Sequence, residues 1–316
     1  MLVSAVIPLF NKKDFVKRAI ESVLEQTLTD FELIVVDDGS TDGSAEAVSG
    51  IQDPRITLLK QHNAGVSVAR NTGVAKCKGK YVAFLDADDQ WRSTFLERTL
   101  AVAQSRPGVV AVGTNFQTDT KSKCCENPPY STVYTDEYLK LSRQYKYSLR
   151  LLPSATLVSK KAIILAGLFP PGIKIYEDPD TWMRLSWLGT IAYVPEVLSF
   201  FHDQTPGNTM TGKRFVGPDY PIMAKTFRLS LQEGNVPDRL VEDTGIYVRD
   251  CVMYQSKVLL QEKRAFCAFT NLWRNRDMAA YGNDCDYERL MLQCLTPKFF
   301  HGRLARLSRI LKRCFS

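Results

Sequence analysis

Five apolar residues, Tyr81-Val82-Ala83-Phe84-Leu85, run without a break into Asp86-Ala87-Asp88-Asp89, and no other stretch constrains the chain as much. So short and uniformly apolar a run predicts a strand covered on both faces, as a parallel sheet between helix layers provides. Its carboxylates emerge together at the C-terminal edge, where open α/β sheets bind ligands. Crowded there, they repel one another and any phosphate by about 4 kcal/mol per pair at ~4 Å in a protein-like dielectric, unless a divalent cation lies between them. The junction therefore predicts a metal that carries a phosphorylated ligand; a plain polar loop is the alternative.

A second acidic corner repeats the arrangement. Phe31-Glu-Leu-Ile-Val-Val36 reads as a strand and passes directly into Asp37-Asp38-Gly39-Ser40-Thr41-Asp42. Parallel strands open on one side, so Asp38 and Asp86 are expected to face one crevice. An ionised Asp only accepts hydrogen bonds, which suits ribose hydroxyls or a base N–H. The same residues also suit a turn and a helix cap, with Asp42 as the expected cap. Two other phosphate-binding designs fail. The first strand is followed by Pro8-Leu9-Phe10-Asn11-Lys12-Lys13, without the glycines of a dinucleotide fold. Gly73-Val-Ala-Lys-Cys-Lys-Gly79-Lys80-Tyr81 has the wrong spacing for a phosphate loop and lacks the Ser or Thr that would hold magnesium.

Hydrophobic patterning organises the first half. Strands are expected at 2–7, 31–36, 56–60, 81–85 and 109–113. Between them come a helix with Phe15, Ala19, Ile20, Val23 and Leu24 on one face, a short helix from about Asp42, a helix around 66–76 and one from Thr94. This is βαβ architecture. The pattern weakens beyond Asn115, and residues from about 221 onward read as mainly helical. Pro179 at the first position of a helix over Asp180 to Leu188, ended by Gly189, makes Asp178 the expected N-cap.

Four motifs in order over about the first hundred residues carry a resemblance. They are Val6-Ile7-Pro8-Leu9-Phe10-Asn11, Val35 to Asp42, Asn63-Ala-Gly65-Val-Ser-Val-Ala-Arg70-Asn71-Thr-Gly73 and Leu85-Asp-Ala-Asp-Asp-Gln-Trp91. Together they resemble the family 2 inverting glycosyltransferases of the GT-A fold, of bacterial surface-polysaccharide type. The resemblance implies an α/β catalytic domain over 1–220 with a mostly parallel central sheet flanked by helices. Its nucleotide-sugar-binding half would span 1–114 and its acceptor-binding half 115–220, with a helical extension over 221–316. It implies a nucleotide-sugar donor, a UDP-sugar by expectation, a Mg²⁺ or Mn²⁺ ion, and an acceptor hydroxyl on a glycan or lipid-linked glycan.

By the same resemblance, Pro8, Phe10, Asn11, Asp38, Asn63, Arg70, Asn71, Asp86 and Ala87 would line the nucleotide. Asp86 and Asp88 would hold the metal, with His202 beside them. Asp178 would be the base that deprotonates the acceptor, with Glu177 as runner-up. Taken as bare residues, Arg70 and Asn71 are helix polar residues and His202 is a structural strand-end histidine. Phe200-Phe201-His202-Asp203 also departs from the family's commoner aromatic-Arg-x-His pattern. Trp91, Trp182, Trp187 and Tyr176 are either sugar platforms or core, and Thr209 to Arg214 is either a basic lid on the diphosphate or a solvated loop. The rival readings are a nucleotidyltransferase that releases pyrophosphate, and a non-catalytic nucleotide- or glycan-binding module with no need of Asp178.

Composition narrows the setting. The eight cysteines form no C-x-x-C pair and, with three histidines, offer no zinc spacing. Residues 2–10 are apolar, but Pro8 interrupts them and the lysines follow rather than precede, unlike a secretory signal. No run has transmembrane length. The expected location is cytoplasmic, or peripheral on the cytoplasmic face of the inner membrane. Of the formal charge of +7, six units sit in residues 298–316, on Lys298, Arg303, Arg306, Arg309, Lys312 and Arg313. Phe300, Leu304, Leu307, Leu311 and Phe315 form a helical apolar stripe among them, which fits an anionic membrane surface or a helix packed on the enzyme. No second basic patch or recognition motif accompanies it, so nucleic acid is not an expected partner.

Overall fold

Seven consecutive buried residues form β1 (Val3–Leu9), the strand from which both acidic corners hang. It pairs in parallel with β2 (Phe31–Asp37), Leu9 opposite Asp37, and β2 pairs in turn with β3 (Ile56–Lys60). On its other side β1 pairs in parallel with β4 (Tyr81–Phe84), Val6 opposite Phe84. The ends of β2 and β4 therefore flank the end of β1 on one edge of the sheet. These are relations in a computed structural model that describes residues 1–120, 129, 131–145, 149, 151–173, 175–203, 205, 222–262, 264–282 and 286–294. The basic tail 298–316 and the expected lid at 209–214 lie outside the described residues.

Helices α1 (Lys13–Leu24), α2 (Ser44–Ser49) and α3 (Val66–Lys76) make the connections. The buried face of α1 centres on Val16, Ala19, Ile20 and Val23, with the expected Phe15 and Leu24 only half-buried at its margins. Helix α3 lies so close to β1 that a Cβ on Gly73 would stand 2.3 Å from Val6 Cγ1, which leaves room for glycine alone.

The sheet continues through β5 (Gln90–Trp91), β6 (Val109–Thr118), β7 (Val133–Thr135), β8 (Thr156–Ser159) and β9 (Thr190–Phe201), in the order β3-β2-β1-β4-β8-β6-β9-β5, with β7 on β9. The longest pairings, β1 with β2 and β6 with β9, are parallel, whereas β8 is antiparallel to both its neighbours, β4 and β6. The division expected at 114/115 runs through β6, and β8, from beyond it, pairs directly with β4. Helices α4 (Phe95–Ser105), α5 (Tyr138–Gln144), α6 (Lys160–Leu165) and α7 (Glu177–Ser186) complete the flanking layers.

Helix α7 begins three residues before the expected Asp180. Tyr176, in the left-handed region at φ 71°, is its N-cap, so Asp178 lies inside the first turn and does not cap it. Pro179 is tolerated there because first-turn N–H groups have no intrahelical acceptor. A bulky residue held at positive φ costs on the order of 1 kcal/mol.

The chain divides into two compact units, Met1–Arg214 and Phe215–Ser316. The described residues of the second are mainly helical, as expected, with α8 (Ile222–Gln232), α9 (Val241–Gln261), α10 (Ala265–Arg274) and α11 (Asp286–Cys294). Its core holds Phe227, Val248, Val252, Leu259, Leu272 and Tyr287, and the Tyr287 hydroxyl donates to Leu272 O at 2.7 Å. No helix among the described residues is long and apolar enough to cross a membrane.

Candidate active site

Asp38 follows β2 at once, and its N–H donates to Leu9 O at 2.8 Å, which ties this corner to β1. Its buried carboxylate accepts from Gln61 Nε2 at 2.7 Å, Ala64 N at 2.9 Å and Gly65 N at 2.8 Å. A buried charge needs such donors. Asp38 therefore shapes the loop 61–65 that leads into α3, a structural task beyond the nucleoside contact expected of it. Asn11, at φ 50°, accepts from Thr41 N at 2.8 Å and donates its own N–H to Ser40 Oγ at 3.0 Å, bracing the two loops. Pro8 is buried within β1, while Phe10 and Asn63 are exposed at the edge. Asp42 accepts from Ser44 N and Lys13 N, both at 3.0 Å, and so takes the first helical N–H of α2 and of α1, but the N-cap of α2 is Gly43 and not the expected Asp42.

The three carboxylates after β4 have three different environments. Asp86, about a third exposed, accepts from Arg70 Nη2 at 2.8 Å, and its N–H donates to Ser154 Oγ at 3.0 Å. Ala87 is buried. Asp88 Oδ2 accepts from Lys12 Nζ at 2.7 Å and from Thr205 Oγ1 at 2.8 Å, and its carbonyl accepts from Arg18 Nη2 at 2.6 Å. Asp89 is fully buried and takes Ser154 Oγ at 2.5 Å and His202 N at 3.0 Å. Burial, with the charges of Asp86 and Asp88, pushes its carboxyl well above the usual carboxylate range.

The oxygen donors of Asp86 and Asp88 fit Mg²⁺ or Mn²⁺ by chemistry. No group of three or more His, Cys, Asp or Glu among the described residues is arranged to hold a metal. Mg²⁺ ordinarily takes one or two carboxylates and completes its shell with phosphate and water. The imidazole of His202 does not complete such a group. Nδ1 lies 2.8 Å from Asp119 Oδ1 and Nε2 3.1 Å from Gln90 Oε1, so both ring nitrogens face side-chain partners. This departs from the expected metal ligand, and follows from the β5–β9 pairing, which sets Gln90 opposite Phe200.

Arg70 joins the end of β4 to α7. Its side chain, 3% exposed, bridges Asp86 at 2.8 Å and Glu177 at 3.0 Å, and its guanidinium lies 5.2 Å from the Phe169 ring centroid. Burial works against the Arg70 charge, but Asp86 and Glu177 more than offset it and raise its pKa. The Glu177 carboxyl is pushed up by burial although Arg70 pulls it down. Asp178 is pushed well above the usual range, first by burial and then by the Glu177 charge, with Arg70 offsetting part of the rise. A half-buried carboxylate so perturbed, on the first turn of a helix, is suited to proton transfer.

Asn71 has a different task from the expected nucleotide contact: it clamps the backbone of Phe169. The Phe169 ring packs edge-on against Phe84 and Trp182, at 5.1 and 5.7 Å between centroids. The indoles of Trp91, Trp182 and Trp187 are buried and belong to the core, not to a sugar platform. Lys12, Ser154, Phe169 and Thr205 escaped the sequence reading. Lys12 stood beside Asn11 in a motif already singled out, whereas nothing local marks the other three.

Residues 4–156 match the family described as glycosyl transferase family 2. A protein of Rickettsia felis, described as an uncharacterized glycosyltransferase, is 30% identical over 286 residues, 85% of this chain and 46% of its own length. The chain spans less than half the length of the curated relatives it matches. Among solved structures, S. aureus TarS 1-349 in complex with UDP-GlcNAc is similar at a TM-score of 0.62 and 16% identity, over 92% of this chain and 90% of that one. The mannosyltransferase PcManGT of Pyrobaculum calidifontis, in complex with GDP-Man and Mn²⁺, is similar at 0.56 and 17% identity, over 94% and 81%. The fold is thus GT-A, and the chain carries a family 2 glycosyltransferase domain over residues 4–156.

Proposed function

We propose that this chain is a metal-dependent inverting glycosyltransferase. It would move a sugar from a nucleotide diphosphate sugar, a UDP-sugar in our reading, to a hydroxyl of a glycan or lipid-linked glycan during surface-polysaccharide synthesis. The observation that carries this reading is Arg70, one buried cation shared by Asp86 at the donor edge and Glu177 beside Asp178. A nucleotide-binding module has no use for a perturbed carboxylate beside the residue that Arg70 ties to its ligand edge. A transferase does.

Asp178 takes the proton of the acceptor hydroxyl as that oxygen attacks the anomeric carbon. The bond from that carbon to the diphosphate breaks with its electron pair leaving on the nucleoside diphosphate, and configuration inverts. Arg70 keeps Asp86 and Glu177 in register, and Glu177 keeps the Asp178 carboxyl basic. Asp88 and Asp86 would hold Mg²⁺ or Mn²⁺, which supplies charge neutralisation of the diphosphate when bound. Phe10 and Asn63, exposed at the same edge, are the side chains free to meet the nucleoside. TarS binding UDP-GlcNAc and PcManGT binding GDP-Man with Mn²⁺ support a nucleotide-sugar donor and a divalent ion here. The tail 298–316 would rest on the anionic cytoplasmic leaflet and bring the enzyme to a lipid-linked acceptor.

The test is product analysis with a panel of nucleotide sugars. Release of nucleoside diphosphate with an inverted anomer is the expected result, and release of pyrophosphate would instead make the protein a nucleotidyltransferase.

A further inference from the structure

The carboxylate assigned to the metal already holds a cation from its own chain. Lys12 Nζ stands 2.7 Å from Asp88 Oδ2, and both side chains are mostly buried, at 17% and 13% exposure. The ammonium is presented there by the chain itself. Lys12 is the residue before α1, and its N–H donates to Ser44 Oγ at 2.9 Å, so its backbone is fixed at the same edge that carries both acidic corners. A divalent ion bound to Asp88 oxygens at about 2.1 Å would share that carboxylate with a like charge in a poorly solvated pocket.

We propose that Lys12 is the resident counter-ion of Asp88: it neutralises the carboxylate while donor is absent, yields that place to the divalent ion, and then turns to the diphosphate. The inference rests on the metal reading of Asp88 given above. A four-carbon stem ending in a compact point charge can make such a move without disturbing the backbone. The ammonium needs a new anion once Asp88 is taken, and the diphosphate arriving with the ion is one. Lys12 thus opposes the free metal and favours the donor, and its removal has opposite effects on the two ligands.

The experiment measures Mn²⁺ alone by electron paramagnetic resonance, and UDP at saturating Mg²⁺ by calorimetry, on the full chain. Lys12→Met should bind Mn²⁺ about tenfold more tightly and UDP about tenfold more weakly than wild type, while Lys12→Arg, which keeps the charge, should stay close to wild type in Mn²⁺ binding. Lys12→Gln replaces Met should that variant fail to fold. Unchanged Mn²⁺ affinity in the neutral variant, with Asp88→Asn still losing the ion, overturns the counter-ion role and leaves the metal reading standing. Mn²⁺ binding that is indifferent to Asp88→Asn overturns the metal reading and the counter-ion role with it.

Discussion

Asn71 and Phe169 are bonded to each other reciprocally: Asn71 Nδ2 donates to Phe169 O at 2.8 Å, and Phe169 N donates to Asn71 Oδ1 at 3.0 Å. One side chain thus satisfies both backbone groups of a fully buried residue far along the chain. Asn71→Ala leaves both unpaired, and chemical denaturation should show a loss of about 2–3 kcal/mol. UDP affinity in the folded protein should change little, because the amide faces Phe169. A large fall in UDP affinity without destabilisation would return Asn71 to the nucleotide.

Asp178→Asn keeps the volume and the first-turn position in α7. Transfer should fall by at least about 10²-fold with donor binding nearly intact, as expected when a group acts only in the transition state. Single-turnover rates and UDP calorimetry separate the two effects. Near-normal turnover would move the base to Glu177 or elsewhere.

The pH profile follows from the direction of the Asp178 shift. A base works only when ionised, so a pKa raised by burial and by Glu177 moves the acid limb of kcat/KM above the ~3.9 of an ordinary Asp. Glu177→Gln removes the neighbouring negative charge and leaves more of the Arg70 charge to Asp178. Both effects lower the Asp178 pKa, so the limb should shift toward lower pH. A limb that stays in place or moves upward contradicts the pairing of these two carboxyls.

Chelation should abolish transfer, and Mn²⁺ or Mg²⁺ should restore it. Full activity in excess chelator would remove the metal from the mechanism. Asp86→Asn should cost more than ion affinity, since it also takes from buried Arg70 one of its two carboxylates, and thermal melting should register that loss.

Deleting residues 298–316 should leave donor hydrolysis unchanged and weaken binding to anionic vesicles. Each Lys or Arg near such a surface contributes about 1 kcal/mol, and salt should weaken the intact chain in the same sense. A truncation that unfolds the enzyme would mean that the tail is part of the core.

How much of this was legible in the sequence depended on range. The strands around Val3–Leu9, Phe31–Asp37 and Tyr81–Phe84 could be read because each is a largely apolar run, the last two passing directly into carboxylates, and the edge they share follows from parallel pairing. The start of α7 was misplaced because a proline was read as a first helical residue, whereas the first turn admits it at a later position too. Asp38 was marked by its place after a strand and Asn71 only by the resemblance, and what their side chains touch lies 23 to 98 residues away, at Gln61 and Phe169. No periodicity reports such contacts. Ser154 and Thr205 were invisible for the same reason: each is an ordinary hydroxyl until the fold brings it to Asp89 or Asp88.

Ser154 has a practical consequence for anyone building chimaeras from such chains. It lies in the short 3-10 turn Pro153–Ala155 just before β8, yet its hydroxyl receives the Asp86 N–H and donates to Asp89, and its carbonyl receives the Trp91 indole. A graft joined near residue 115, where the sequence pattern fades, would bring a foreign turn against Asp86, Asp89 and Trp91 and take the Ser154 hydroxyl from buried Asp89. A join placed after Ser159 keeps β8 and the whole matched stretch 4–156 with this corner, provided the graft supplies equivalents of Phe169, Glu177, His202 and Thr205 to Asn71, Arg70, Asp89 and Asp88. The corner around Ser154 should therefore survive the second junction and not the first.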